Sequence, residues 1–317
     1  MRAGMPDGKP KRLLILGGLA IAVLAAIPLL RRLSPEDNRV RWSNMVWVPA
    51  QVNGRTEPHA ALMVETELEG LRMRGLMQLD LGIDPTVVYG AVRAAGDSVT
   101  INGTIANRHF QNERFYFRPS AGAPAPATKP PLLGSIGAGF FEHRILILDF
   151  VKQRLAILGK GAVLAPALDR GIEYLPLRFQ NGHVLVAAAI DGREVPNALF
   201  DTGSSMIPFF ASRGRWSEWT HRQTGDSANS TIRLQSWGKE AVVVGAPVGT
   251  LCVGSACLSH PEIYCQSSRL PNLDFDKAPQ LSGAFGNAIF LGRYTVIVDI
   301  PGRRFGLIHG SFDASGE

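Results

Sequence analysis

No Gly-x-Ser-x-Gly turn and no His-Glu-x-x-His pair occurs anywhere in the 317 residues. Without the first, there is no strand-to-helix turn to expose a serine nucleophile. Without the second, the paired helical histidines of a zinc peptidase are missing. The seven histidines are scattered without ligand spacing, so neither a metal nor a cofactor is expected. Gly134-Ser135-Ile136-Gly137-Ala138-Gly139 lacks the glycine order and following helix of a nucleotide loop. Cysteine is scarce: Cys252, Cys257 and Cys265 fall within fourteen residues. A structural zinc site takes about four ligands, and only His260 lies near. Cys252 and Cys257 bracket a hairpin-turn sequence across which a small disulfide can close, leaving Cys265 as a thiol or paired elsewhere.

Charge is also sparse. Charged residues make up 19% of the chain, the net charge is +6 and the pI about 9.5. Basic residues gather only in small groups, such as Lys9, Lys11 and Arg12, Arg31 and Arg32, and Arg303 and Arg304. A nucleic-acid surface needs a clustered basic face, so that partner is not expected. Helical periodicity is missing after residue 33. Val, Ile, Leu and Phe recur in short runs bounded by Gly, Asn or Pro, which reads as short strands and many turns. A hydrophobic content of 45% is that of a globular chain, and the length suits two cores at ~150 residues each.

One long apolar run stands apart. Leu13–Leu30 carries no charge and, at 18 residues, reaches the lower limit for a spanning helix. A cleaved signal peptide with an apolar region ending near Ala26 is the competing reading. Because the run continues to Arg31, an uncleaved anchor is preferred. Residues 1–33 are then a cytoplasmic tail and signal anchor, and 34–58 a juxtamembrane segment. The globular part is expected outside the membrane, periplasmic in a bacterium.

The rest of the chain is an internal repeat. The first copy starts near His59 and passes Gly70 to reach Leu79-Asp80-Leu81-Gly82-Ile83. The second starts near His183 and passes Gly192 to reach Phe200-Asp201-Thr202-Gly203-Ser204-Ser205. Ten residues separate glycine from aspartate in the first copy and nine in the second. Downstream, Ile136-Gly137 and Phe285-Gly286 correspond, as do Leu146–Asp149 with Arg154 and Val296–Asp299 with Arg304. In the middle, Asn102–Ile105 corresponds to Val248–Leu251. The repeat assigns residues 59–160 to one lobe and 172–312 to another, with Ala121–Pro131 as an extended Ala/Pro-rich surface insertion.

An aspartate loop after an apolar strand, an apolar-Gly pair far downstream and a whole second copy resemble the pepsin-like and retropepsin-like aspartic proteases. The resemblance implies an all-β, bilobal fold of two pseudo-symmetric lobes, here with an N-terminal transmembrane helix. It implies Asp80 and Asp201 as a catalytic pair sharing one water, and hence a peptide or protein substrate. Gly82, Gly203, Gly137 and Gly286 are the supporting glycines. Thr202 matches the family's cross-lobe lock, and Ser204 the donor to the outer oxygen of Asp201.

The first copy departs from the pattern. Leu81 stands at the lock threonine and Ile83 at the serine, and Asp84 follows. These departures leave open a catalytically inactive member that binds or scaffolds peptides, with Asp80 a remnant. Between Asp80 and Val99 there is no room for the hairpin that covers the cleft in pepsin-like proteases. Thr231–Val244, with Trp237 and Gly238 at its tip, is the alternative cover or else an ordinary surface hairpin. Asp149 and Asp299 repeat with the pattern but sit in terminal strands, so they read as structural.

Overall fold

Ile145–Asp149 and Tyr294–Asp299 are buried along their whole length. Strands covered on both faces carry unbroken apolar runs instead of alternation, and these two lie at the centre of the molecule. They pair antiparallel, with Ile147 opposite its own repeat counterpart Ile297. Arg154–Leu158 and Arg304–His309 flank them, followed by Ser43–Asn44 on one side and Glu173–Gln180 on the other. The repeat therefore meets itself at a pseudo-two-fold axis. A computed structural model describes residues 39–90, 97–118, 130–164, 171–236, 239–266 and 280–312. The Leu13–Leu30 run, residues 121–129 of the insertion, and Trp237 and Gly238 lie outside the described residues. Among the described residues, no helix is long and apolar enough to cross a membrane.

Each half then builds a sheet of its own. In the first, the order is Val46–Val52, Arg55–Leu68, Met73–Leu79, Leu132–Ile136, Val87–Tyr89, Arg108–Arg118 and Ser98–Ile105, and the last strand pairs back onto Arg55–Leu68. In the second, His183–Ile190 is followed by Arg193–Phe200, Gly283–Phe285, Phe209–Ala211, Glu262–Gln266, Lys239–Pro247 and Ser230–Ser236. Both halves contain the same parallel pairing, Leu79 with Ile136 and Phe200 with Phe285. The described chain is thus all-β in its main elements and two-lobed.

Two details differ from the sequence reading, and a third agrees with it. Val46–Val52, placed in the juxtamembrane segment, is a strand of the first sheet, because Trp47 and its neighbours pack on that lobe's core. An α-helix, Arg213–Thr220, occurs where no helical period was visible. Its start is set by the Ser212 hydroxyl accepting from the Arg215 N–H, and only Trp216 is buried. Ser230–Ser236 and Lys239–Pro247 do form a hairpin, and the Asn53 side-chain amide of the first lobe donates to its Thr231 carbonyl at 2.6 Å.

Asp149 and Asp299 hold equivalent tight turns. Asp149 accepts from the Val151 and Lys152 N–H groups and from Arg154, and Asp299 from the Gly302 N–H and Arg304. Cys252 and Cys257 are opposite each other in the Thr250–Val253 and Ala256–Ser259 hairpin and form a disulfide. Cys265 is a buried thiol. The second lobe's core centres on Phe200, whose ring lies 5.2 Å from Phe285, 5.3 Å from Phe305 and 5.9 Å from Phe290. Phe285→Ala removes the ring stacked on Phe200. A loss of about 3–5 kcal/mol in urea-denaturation stability is expected; a loss below about 1 kcal/mol would show that the cluster is not what holds the lobe.

Candidate active site

The parallel pairings deliver the two aspartates to equivalent places. The Asp80 N–H donates to the Ile136 carbonyl at 3.0 Å, and the Asp201 N–H to the Phe285 carbonyl at 3.0 Å. The chain then turns and crosses the apolar-Gly residue of the partner strand. A Cβ built on Gly137 would come 2.9 Å from the Ile83 carbonyl oxygen, and one on Gly286 would lie 2.6 Å from that of Ile207 and overlap that of Ser204. Only glycine allows that crossing, which explains why both copies keep it.

The loops bring Asp80 and Asp201 together from opposite lobes: the point where a Cβ on Gly203 would sit is 2.6 Å from Asp80 Oδ1 and 3.1 Å from Asp201 Oδ1. Their glycines face across the junction. A Cβ on Gly82 would lie 2.5 Å from Asp201 Oδ1, and one on Gly203 would lie 2.6 Å from Asp80 Oδ1. Each glycine therefore makes room for the other lobe's carboxyl. Burial pushes the Asp80 carboxyl well above the usual carboxylate range. The Asp201 charge pushes it further, and the Gly82 N–H, donating at 3.1 Å, opposes this only in part. Burial also raises Asp201, but more donors answer it: the Ser204 hydroxyl at 2.7 Å on Oδ2 and the Gly203 N–H at 2.9 Å on Oδ1. Burial and its single donor favour the proton on Asp80, and the donors on Asp201 favour the charge there.

The lock is one-sided. The Thr202 hydroxyl, fully buried, donates to the Leu79 carbonyl at 2.8 Å and accepts from the Leu81 N–H at 2.9 Å. One second-lobe side chain thus grips the backbone on both sides of Asp80. Leu81 returns no such grip, since its side chain is buried in the hydrophobic core. The Gln78 amide reaches the Gly203 carbonyl at a long 3.4 Å. Ile83 offers Asp80 no hydroxyl, and Asp84 is exposed to solvent.

Sequence reasoning missed several residues here. Asn287, fully buried, donates to the Thr202 carbonyl at 3.1 Å and the Ser205 hydroxyl at 2.8 Å, and that hydroxyl donates to the same carbonyl at 3.0 Å. Together they fix the loop that carries the lock. The only signal was an asparagine at the position where the first copy has Ala138. His183 stands near the pair: burial lowers its pKa, while Asp84 and Asp201 pull it up, and its Nδ1 is buried without a hydrogen-bond partner. Tyr89 bonds Ser135 at 2.8 Å and feels the Asp80 charge. Among the described residues no group of His, Cys, Asp and Glu is arranged to hold a metal.

No family model and no curated protein matches the sequence. Among solved structures, the chain is similar to the aspartic proteinase from Irpex lacteus, with a TM-score of 0.47 and 11% identity over 87% of this chain and 99% of that one. It is also similar to basic 7S globulin from soybean, with a TM-score of 0.45 and 9% identity over 88% of this chain and 97% of that one.

Proposed function

We propose that the protein is an aspartic endopeptidase that hydrolyses peptide bonds with a water held between Asp80 and Asp201. The observation that carries this reading is the close approach of two carboxyls from opposite lobes, both of which lie within 3.1 Å of where a Cβ on Gly203 would sit, with unequal donors. Two carboxylates at that separation cannot both ionise cheaply, so they keep one proton at acidic to near-neutral pH. Asp201, stabilised as the anion by Gly203 and Ser204, takes a proton from the water. Asp80, neutral, donates to the carbonyl oxygen of the scissile bond. The water oxygen bonds the carbonyl carbon, giving a tetrahedral intermediate. Collapse breaks the C–N bond as the proton gained by Asp201 passes to the leaving nitrogen and a hydroxyl of the intermediate returns its proton to Asp80, which leaves the carboxylic acid and restores the pair. No cofactor takes part.

The reading places the enzyme at the outer face of a membrane, tethered by Leu13–Leu30 and acting on proteins or peptides there. The Cys252–Cys257 disulfide favours such a compartment. The Ser230–Ser236 and Lys239–Pro247 hairpin is the candidate cover for the cleft. A second reading, a peptide-binding protein without catalysis, is favoured by Leu81 and Ile83.

Three outcomes test the reading on residues 40–317. Unstructured polypeptide should be cleaved, and Asp80→Asn or Asp201→Asn should each lower kcat/KM by about a thousandfold. Cleavage that survives either change ends the dyad assignment, and binding without any cleavage by wild type favours the second reading.

The active form carries one proton on the pair, so the pH profile should be bell-shaped, with limbs that belong to the pair and not to either residue. Burial and mutual repulsion raise the second ionisation, so the alkaline limb should lie above the ordinary carboxylate range. Ile83→Ser supplies a donor to ionised Asp80 and should move that limb to lower pH; no movement, or movement upward, contradicts the assignment of the proton to Asp80.

Thr202→Val deletes both bonds of the lock. Its kcat should fall about a hundredfold with KM little changed, because misplacement by about an ångström costs that much. A rise in KM alone would mean that Thr202 serves substrate binding instead.

A further inference from the structure

Beside the carboxyl pair lies a cavity of about 540 Å³ walled by both lobes. The first lobe contributes the stretch just after its aspartate loop, Asp84 to Thr86, together with Glu113 and Glu142. The second contributes Phe179 and the turn at Asn181 and Gly182. Asp80 and Asp201 are not part of the cavity's wall, which begins at Asp84, four residues beyond Asp80. His183, the residue after that turn, feels the charges of both Asp84 and Asp201. A Cβ on either Gly139 or Gly182 would collide with Asp84, so one glycine from each lobe leaves the space that its side chain occupies. Gly182 has a φ of +72°, which glycine adopts without strain.

The charges in this cavity are not balanced alike. Burial pushes Glu113 up, but Lys160 at 2.5 Å and Arg144 at 2.7 Å more than offset it and hold it below the usual range. Glu113 is therefore already neutralised. Among the described residues, Asp84 and Glu142 make no ion pair or hydrogen bond through their side chains. The cation on the rim, Arg114, is turned onto the Tyr116 ring at 5.1 Å and donates to the Ser98 hydroxyl at 3.0 Å. Apolar walls come from Phe140 and Phe179. A site with an apolar wall and two unanswered carboxylates suits a long stem ending in a cation.

We infer that this cavity is a specificity subsite that takes a lysine or arginine side chain of the bound polypeptide, its stem along Phe179 and its charge toward Asp84 and Glu142. The inference rests on the peptidase reading for its place in the reaction, but the recognition itself does not need cleavage. The subsite lies on the side of the scissile bond nearer Asp84 and His183. It gives the cleft a preference for basic segments.

The test uses peptide pairs that differ at one position, lysine against norleucine, scanned across the cleavage site. For wild type, one position should favour lysine about fivefold in kcat/KM, and the preference should shrink in 0.5 M salt, as two exposed ion pairs dictate. The double variant Asp84→Asn with Glu142→Gln should lose that preference, so that the lysine and norleucine peptides are cleaved at the same rate as each other. Binding is read separately by fluorescence anisotropy of the same labelled peptides on Asp201→Asn protein, which needs no catalysis. If nothing is cleaved but lysine still binds better through Asp84 and Glu142, the peptidase reading fails and the subsite stands. If no position prefers lysine in binding or cleavage, or if the double variant keeps the preference, the subsite is wrong.

Discussion

The close approach of two carboxyls, one from each lobe, is the constraint on which this molecule turns. Bringing Asp80 and Asp201 together with both ionised would cost the desolvation of two charges and their mutual repulsion. The surrounding structure answers with geometry. Two parallel strand pairs end at the same depth, two glycines let backbone cross backbone, and two more clear space for the facing carboxyl. The central pairing of Ile147 with Ile297 fixes the relative placement of the lobes, and with it the placement of the pair.

The lobes contribute unequally to that geometry. The second lobe supplies the grip of Thr202, the Ser204 donor and the support of Asn287 beneath both. The first lobe supplies Asp80 with one backbone donor and an apolar side chain at position 81. The asymmetry has a direct electrostatic result. Donors accumulate on Asp201 and hold its charge, whereas Asp80 sits in the drier place and holds the proton. Divergence of the two copies has thus made the two carboxyls electrostatically unequal.

Much of this arrangement was legible in the sequence because it is local and repeated. Apolar strand, aspartate, glycine and the distant apolar-Gly pair appear twice in the same order, and the hydroxyls missing at 81 and 83 are visible as substitutions. The Cys252–Cys257 pairing follows from a turn of four intervening residues. What escaped has no local pattern. Asn287 acts through a contact with Thr202 across 85 residues of chain. The helix Arg213–Thr220 buries one side chain, so it leaves no apolar stripe to read. Val46–Val52 looked like a connection to the anchor because its pairing partner is set by the far side of a hairpin. His183 marked the start of a repeat, and only the fold brings it near Asp201.

The pseudo-two-fold axis through Ile147 and Ile297 carries a further meaning. In an assembly of two identical subunits joined the same way, a leucine at position 81 would appear on both sides of the axis and delete every hydroxyl of the lock at once. Joined in one chain, the halves are free to change singly. The threonine that remains makes both of its bonds alone, and the leucine adds to the packing of its own lobe. Covalent linkage of the copies is therefore what makes a half-lock workable.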